Sequence, residues 1–292
     1  MASHRTLLYA VLVFVAGASY GFIVPAIKAA TSTGITVAGL LPSNYLAAFL
    51  LSAAVVLMKR PHLPTKRGFV QLALLGVLTS CTSACYYRAV ALLPSAVALT
   101  LLFQYVWVGV VIDCSVRKQR PSLWTTVAIV IVLCGTLLAA GLFEGSITTL
   151  DPLGIACGLG SALFYALFLF FAGRIQVDSP APIRTMMVGL GGFVVLSAMN
   201  PGYFTTSFLD PFTWPWAVLL AFLGILIPVA LIGAAGPHLS VSTVNIMASS
   251  ELPVGVLAAW AFVGDAPTPL ALAGVMLVLV GIVIKGAASS RS

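Results

Sequence analysis

Charge is scarce in this sequence. Of 292 residues only 7% are charged, 14 Lys and Arg against 7 Asp and Glu, while 61% are hydrophobic. That balance excludes an ordinary soluble domain and points to a polytopic membrane protein. Histidine is nearly absent: His4, His62 and His238 all fall at expected span ends. A membrane enzyme would need a clustered acid, base or nucleophile, and the sequence offers one acid, Glu251, deep in an apolar run. Cysteine is also sparse. Cys81 and Cys85 share a helix face, but no His or further Cys joins them at metal spacing, so the five cysteines read as small apolar residues. No Walker loop exists, which excludes an ATPase within the chain. The glycine clusters Gly158-Leu159-Gly160-Ser161 and Gly189-Leu190-Gly191-Gly192 have no preceding strand and no lysine, so they read as close helix packing. The first apolar run, Leu7 to Ala29, is too long for a cleavable signal. No loop has the length of a folded domain, and no cofactor or metal is expected.

Hydropathy and breaker residues divide the chain into ten spans. The first half holds Leu7–Ala29, Leu40–Met58, Phe69–Val90, Ala96–Val116 and Trp124–Leu142. A polar connection, Glu144 to Asp151, leads to Pro152–Gly173, Ile183–Met199, Trp216–Ala235 and a final pair within Val241–Lys285. The loop from Asn200 to Thr213, together with Trp214 and Trp216, reads as an interfacial aromatic belt. With the N-terminus placed in the cytoplasm, that side receives Arg5, Lys59, Arg60, Lys66, Arg67, Arg117, Lys118, Arg120, Arg174, Arg184, Lys285 and Arg291. The outside receives only Lys28 and Arg88. This bias predicts ten spans with both termini inside, and it accounts for the net charge of +7 without nucleic acid.

The last pair has an earlier counterpart. Glu251 lies near the middle of its span, with Pro253 two positions on to remove a helix hydrogen bond. About 147 residues upstream, in Val97 to Leu142, Gln104 holds the place of Glu251. The chain therefore reads as two repeats, 1–146 and 147–292. Five spans per repeat is an odd number, so the second must enter the membrane inverted, as in secondary transporters whose substrate site lies at midplane between repeats. The fold expected is an all-α polytopic membrane protein of ten helices in two inverted five-helix repeats.

A carboxylate at midplane is costly unless it faces a cavity or a partner. Glu251 and Gln104 are thus candidates for the substrate cavity, with kink-capping or helix glue as the alternative. Tyr20 and Tyr165 lie at matching depths in the two halves, where a buried hydroxyl needs a partner or a wet cavity. Tyr105 and Trp107 flank Gln104 and offer stacking faces. Tyr86, Tyr87 and Arg88 end the third span; Arg88 either attracts a carboxylate or snorkels. Asn44, Asn245, Ser249 and Ser250 can donate or accept hydrogen bonds, and for the serines helix glue is favoured.

The sequence Pro253, then Gly264-Asp265-Ala266-Pro267, then Gly274 and Gly281 resembles the half-repeat ending of the drug/metabolite transporter superfamily, in its EamA-type branch. The first half departs from that pattern: Val106 stands where the proline would be, and Val116 to Arg120 replaces the Gly-Glu turn. Asp265 replaces Glu. Length and aromatic-rich spans look most like YddG-type exporters of aromatic and other amino acids. The resemblance implies amino-acid efflux by alternating access in a bacterial inner membrane; efflux of cationic compounds or other metabolites is the alternative. The implied partners are a small-molecule substrate and the lipid bilayer, with a monomer sufficient. Phosphorylated solutes are disfavoured, because nearly all basic residues are placed at the cytoplasmic ends rather than in a cavity.

Overall fold

The computed structural model describes residues 2–140, 151–264 and 266–291. The end of the fifth expected span, the repeat boundary, most of the Glu144–Asp151 connection and Asp265 lie outside the described residues. The chain forms helices α1 (Ala2–Gly21), α2 (Ile23–Ser32), α3 (Val37–Lys59), α4 (Lys66–Leu92), α5 (Ser95–Leu102), α6 (Tyr105–Arg117) and α7 (Leu123–Ala139). The second half forms α8 (Pro152–Ala172), α9 (Ala181–Met199), α10 (Thr213–Ala221), α11 (Ile227–Ala235), α12 (Val241–Ala248), α13 (Glu251–Val263) and α14 (Pro269–Arg291). Nine helical stretches among the described residues are long and apolar enough to cross a bilayer, and α7 is a shorter tenth. At 1.5 Å per residue the 17 residues of α7 reach about 26 Å, a little short of a ~30 Å hydrocarbon core.

Side-chain oxygens start many of these helices. Thr36, Thr65, Ser122, Asp151, Ser240 and Thr268 each accept a backbone N–H from the first turn. A polar residue at the water boundary thus satisfies donors that lipid could not. Glycine closes α13: Gly264 has φ +82, a conformation costly for residues with a Cβ. Its counterpart at the end of α6, Lys118, adopts φ +55 all the same.

Three spans are interrupted rather than continuous. The first breaks at Phe22, between α1 and α2. The fourth breaks at Phe103-Gln104, and the ninth at Ser249-Ser250. The last two breaks match closely: 8 helical residues, two turn residues, then 13 helical residues. Each later helix begins 146 residues after its earlier counterpart (95 and 241, 105 and 251, 123 and 269). The expected offset of about 147 is therefore corrected by one. Ser250, not Glu251, stands opposite Gln104, and Glu251 stands opposite Tyr105. The role expected of Pro253 is corrected as well. It occupies the first turn of α13, where a backbone N–H has no intrahelical partner to lose, so the break lies upstream of it. The first-half break at Phe103-Gln104 occurs with no proline beside it. In the eighth span a five-residue π turn, Phe222–Leu226, precedes Pro228.

The helices pack α3 against α9, α4 against α8 and α9, and α1 against α11, α12 and α13, while α7 lies mainly along α14. Glycines permit the last contact. A Cβ on Gly274 would meet the backbone of Ala139 and Gly135, and one on Gly135 would meet the Gly274 carbonyl. Gly274→Leu is accordingly expected to cost about 2 kcal/mol or more by overpacking, read as a lower unfolding temperature in detergent. The clusters at Gly158 and Gly189 also sit in close packing: Gly158 faces Leu101, and Gly189 faces the backbone of Tyr45 and Phe49.

Two expectations about charge and aromatics change. Arg184 and Lys285, expected at the cytoplasmic ends of their spans, are buried within α9 and α14. Tyr203 is not part of an exposed belt. It is fully buried, with Ser43 Oγ donating to its hydroxyl oxygen at 3.1 Å and with Phe193, Phe204 and Phe208 edge-on around its ring. Burial pushes its phenol above the usual range, partly offset by the Ser43 contact. Phe204 and Phe212 do remain exposed.

Candidate functional site

A cavity of about 130 Å³ opens among α2, α3, α4, α5, α8 and α13. Its walls come from the first halves of α2 and α3, the second half of α4 and Leu99 and Leu102 of α5, with Tyr20, Tyr165 and Glu251 also in the lining. Glu251 is the first residue of α13, so the break at Ser249-Ser250 presents its carboxyl to the cavity. Tyr165 lies beside it. The Tyr20 ring meets the Tyr165 ring edge-on at 5.9 Å, and Tyr105 meets it from the other side at 4.6 Å. The Tyr165 hydroxyl is within hydrogen-bonding reach of Glu251, while the Oδ1 of Asn44 in the cavity wall is buried without a hydrogen-bond partner among the described residues. Such an atom is expensive to leave unsatisfied, so the cavity is built to meet a polar guest.

Of the eight residues expected at the site, Glu251, Tyr165, Tyr20, Tyr86 and Asn44 line this cavity together. Gln104, Trp107 and Ser250 do not. Gln104 sits in the turn between α5 and α6, where its Nε2 donates to the Thr100 carbonyl at 2.9 Å. Its Oε1 accepts from Trp107 Nε1 at 2.7 Å. Trp107 is 40% exposed on the outer surface of the bundle. Ser250 is fully buried and donates to the Phe14 carbonyl of α1 at 2.7 Å, a contact allowed by the close approach of Gly17. These three residues hold the broken helices together. Asn245 is buried against Gly109 of α6, also away from the cavity, and Arg88 is exposed. Trp107→Ala is therefore expected to leave substrate preference unchanged. Tyr165→Ala should enlarge the cavity and weaken binding of a flat aromatic solute more than that of a small one, read as ligand-induced shifts in unfolding temperature.

The structure adds residues that sequence reasoning missed. Tyr45, Thr79, Thr82 and Ser83 line the cavity, beside Tyr87. The signal was present: Thr79, Thr82, Ser83, Tyr86 and Tyr87 recur every three or four positions and form one polar stripe on α4. Thr79, Thr82 and Ser83 each donate to a carbonyl one turn back, at 2.9 to 3.2 Å. Their protons are committed, so they face the cavity as acceptors. With Glu251 and Asn44 Oδ1 the cavity is rich in acceptors, and no Lys or Arg among the described residues lines it.

Residues 7–141 match the EamA-like transporter family. The match covers a little under half of the chain and spans α1 to α7. Beyond that segment, the fold is shared with a solved crystal structure described only as a protein. The two align with a TM-score of 0.71 and 14% identity over 94% of this chain and 97% of that one. No curated protein matches. Members of the EamA-like family are transporters rather than enzymes. Among the described residues, nine helical stretches long and apolar enough to cross a bilayer mark a multi-pass membrane protein.

A second charged centre lies at the other end of the bundle. Glu251 is not the only buried acid, as the sequence had suggested: Asp113 of α6 is buried too. Its Oδ1 accepts from Arg117 Nε and from Arg174 Nη2, both at 2.9 Å. Burial lowers the Arg174 guanidinium below its usual range, and Asp113 opposes that shift. Nearby, Arg184 donates to the carbonyls of Ala172, Ile175 and Gln176, closing the negative end of α8. Gln176 donates to Gln71 of α4 at 2.9 Å, and Tyr9 stacks on His238 with ring centroids 4.1 Å apart. These contacts stitch shut the end of the bundle opposite the cavity.

Proposed function

We propose that this EamA-like protein is a secondary transporter of amino acids, aromatic ones included, working by alternating access between two inverted repeats. The supporting observation is the cavity itself. It is walled by tyrosines, presents acceptors and one carboxylic acid, and lies beside the break that separates α12 from α13. Such a site suits an ammonium group and a flat apolar side chain, and it disfavours phosphates. The common 146-residue offset supports the repeat reading. So does the pairing of Gly135 with Gly274 and of Ala128 with Gly281, since that offset exchanges one pair for the other. In this arrangement the cavity faces the outside when the N-terminus is cytoplasmic, and the Asp113 centre closes the inside.

The test is uptake by proteoliposomes offered labelled amino acids and cationic dyes, with and without a pH gradient. Saturable uptake of tryptophan or phenylalanine, competed by other amino acids, is the expected result. Movement of quaternary dyes alone would favour the multidrug alternative, which the acceptor-rich lining also fits.

A further inference from the structure

A polar pocket of about 200 Å³ opens at the closed end, between the α6–α7 turn, the start of α12 and the end of α14. It is chemically unlike the central cavity. Three cations line it, Arg117, Arg120 and Lys285, against one carboxylate, Asp113. Asp113 is already engaged by Arg117 and by Arg174 outside the lining. Lys285 is the decisive member. It is 7% exposed, and its ammonium donates to one neutral hydroxyl, Thr125 Oγ1, at 2.8 Å. An ammonium has three donors, and no carboxylate among the described residues pairs with it. Asp113 acts on Lys285 only across the pocket and is already engaged by two arginines, so the buried ammonium is under-compensated unless a further anion joins it. Two helix N-termini converge on the same space: Ser122 and Thr125 begin α7, and Ser240 and Ser242 begin α12. Their positive dipole ends add to the field of the cations.

We propose that this pocket is a second binding site, distinct from the transport cavity, for a phosphate-type oxyanion. A tetrahedral oxyanion accepts from several directions at once, as the spread of Lys285, Arg117, Arg120 and the hydroxyls requires; a planar carboxylate uses fewer of them. Bound there, it ties α7, α12 and α14 together beside the Asp113 contacts and favours the state in which this end is closed. The anion is either free phosphate or the headgroup of an anionic lipid, since the pocket sits where a span meets the membrane surface.

The experiment uses the purified full chain in a neutral detergent. Unfolding temperature is followed while inorganic phosphate is titrated against chloride at equal ionic strength, and separately while phosphatidylglycerol or phosphatidylcholine is added. Stabilisation by phosphate, with apparent affinity at least tenfold weaker in Lys285→Met, supports the site and identifies free phosphate. Stabilisation by phosphatidylglycerol alone, lost in the same variant, supports the site and identifies a headgroup. If Lys285→Met does not fold, Arg120→Gln at an exposed position replaces it, with at least threefold weakening expected. No stabilisation by either probe overturns the proposal, as does an equal response in wild type and the variant used.

Discussion

Glu251→Gln is expected to raise KM for the proposed amino-acid substrates by roughly 10- to 100-fold, in downhill exchange and in gradient-driven uptake alike. The side chain keeps its shape and its place at the start of α13, but it loses the charge that would pair with a substrate ammonium. Hydrogen bonds to charged groups are worth about 1.5–3 kcal/mol, which sets that range. A proton-carrying role makes a different forecast: accumulation against a gradient would fail while exchange survived. The binding role is favoured by the corrected register. Glu251 stands opposite Tyr105, and Gln104 opposite Ser250, so the first half has no second carboxyl for a symmetric relay. Glu251→Asp should recover part of the affinity. Equal transport by wild type and Glu251→Gln would remove the residue from the substrate site.

Asp113→Asn is expected to unlatch the closed end. One carboxylate oxygen bridges Arg117 and Arg174, and so ties α6 to the segment between α8 and α9. The Arg117 side chain is 47% exposed, so that arm contributes little on its own. The Arg174 arm is better shielded and spans 61 residues of sequence. Removing one partner of a shielded pair is costly because it strands the other, up to about 3 kcal/mol where burial is deep. Here part of that cost is relieved by opening. With native cysteines replaced, a cysteine at Gln176 should react severalfold faster with a water-soluble maleimide in Asp113→Asn than in the parent. An unchanged rate, with unfolding temperature lowered, would reduce Asp113 to a packing role.

The site was only partly legible in the sequence, and the reasons are local. Glu251, Tyr165, Tyr20, Tyr86 and Asn44 stood out because a polar or phenolic group in an apolar run is conspicuous by itself. Gln104 and Trp107 stood out for the same reason and lie elsewhere, because the two-residue turn at Phe103-Gln104 re-aims everything after it. A continuous helix extrapolated through that turn puts side chains on the wrong face. Tyr45, Thr79, Thr82 and Ser83 passed unnoticed because each residue is ordinary alone, and only the helical period unites the hydroxyls with Tyr86 and Tyr87.

Membrane setting, the ten apolar stretches and the doubling of the α12–α14 pattern were determined by the sequence alone. Each rests on quantities that short segments carry: hydropathy over about 20 residues, breakers between them, and the side on which Lys and Arg fall. Which polar groups share a space was decided only by the tertiary structure. Nothing in the sequence singles out Asp113; Arg174, from the segment after α8, makes it the centre of a cluster. Lys285 counted only toward the cytoplasmic charge bias until α7 and α12 closed over it. A charge gains its meaning from what surrounds it within a few ångströms, and in a helical bundle those neighbours are brought by other helices, not by adjacent sequence.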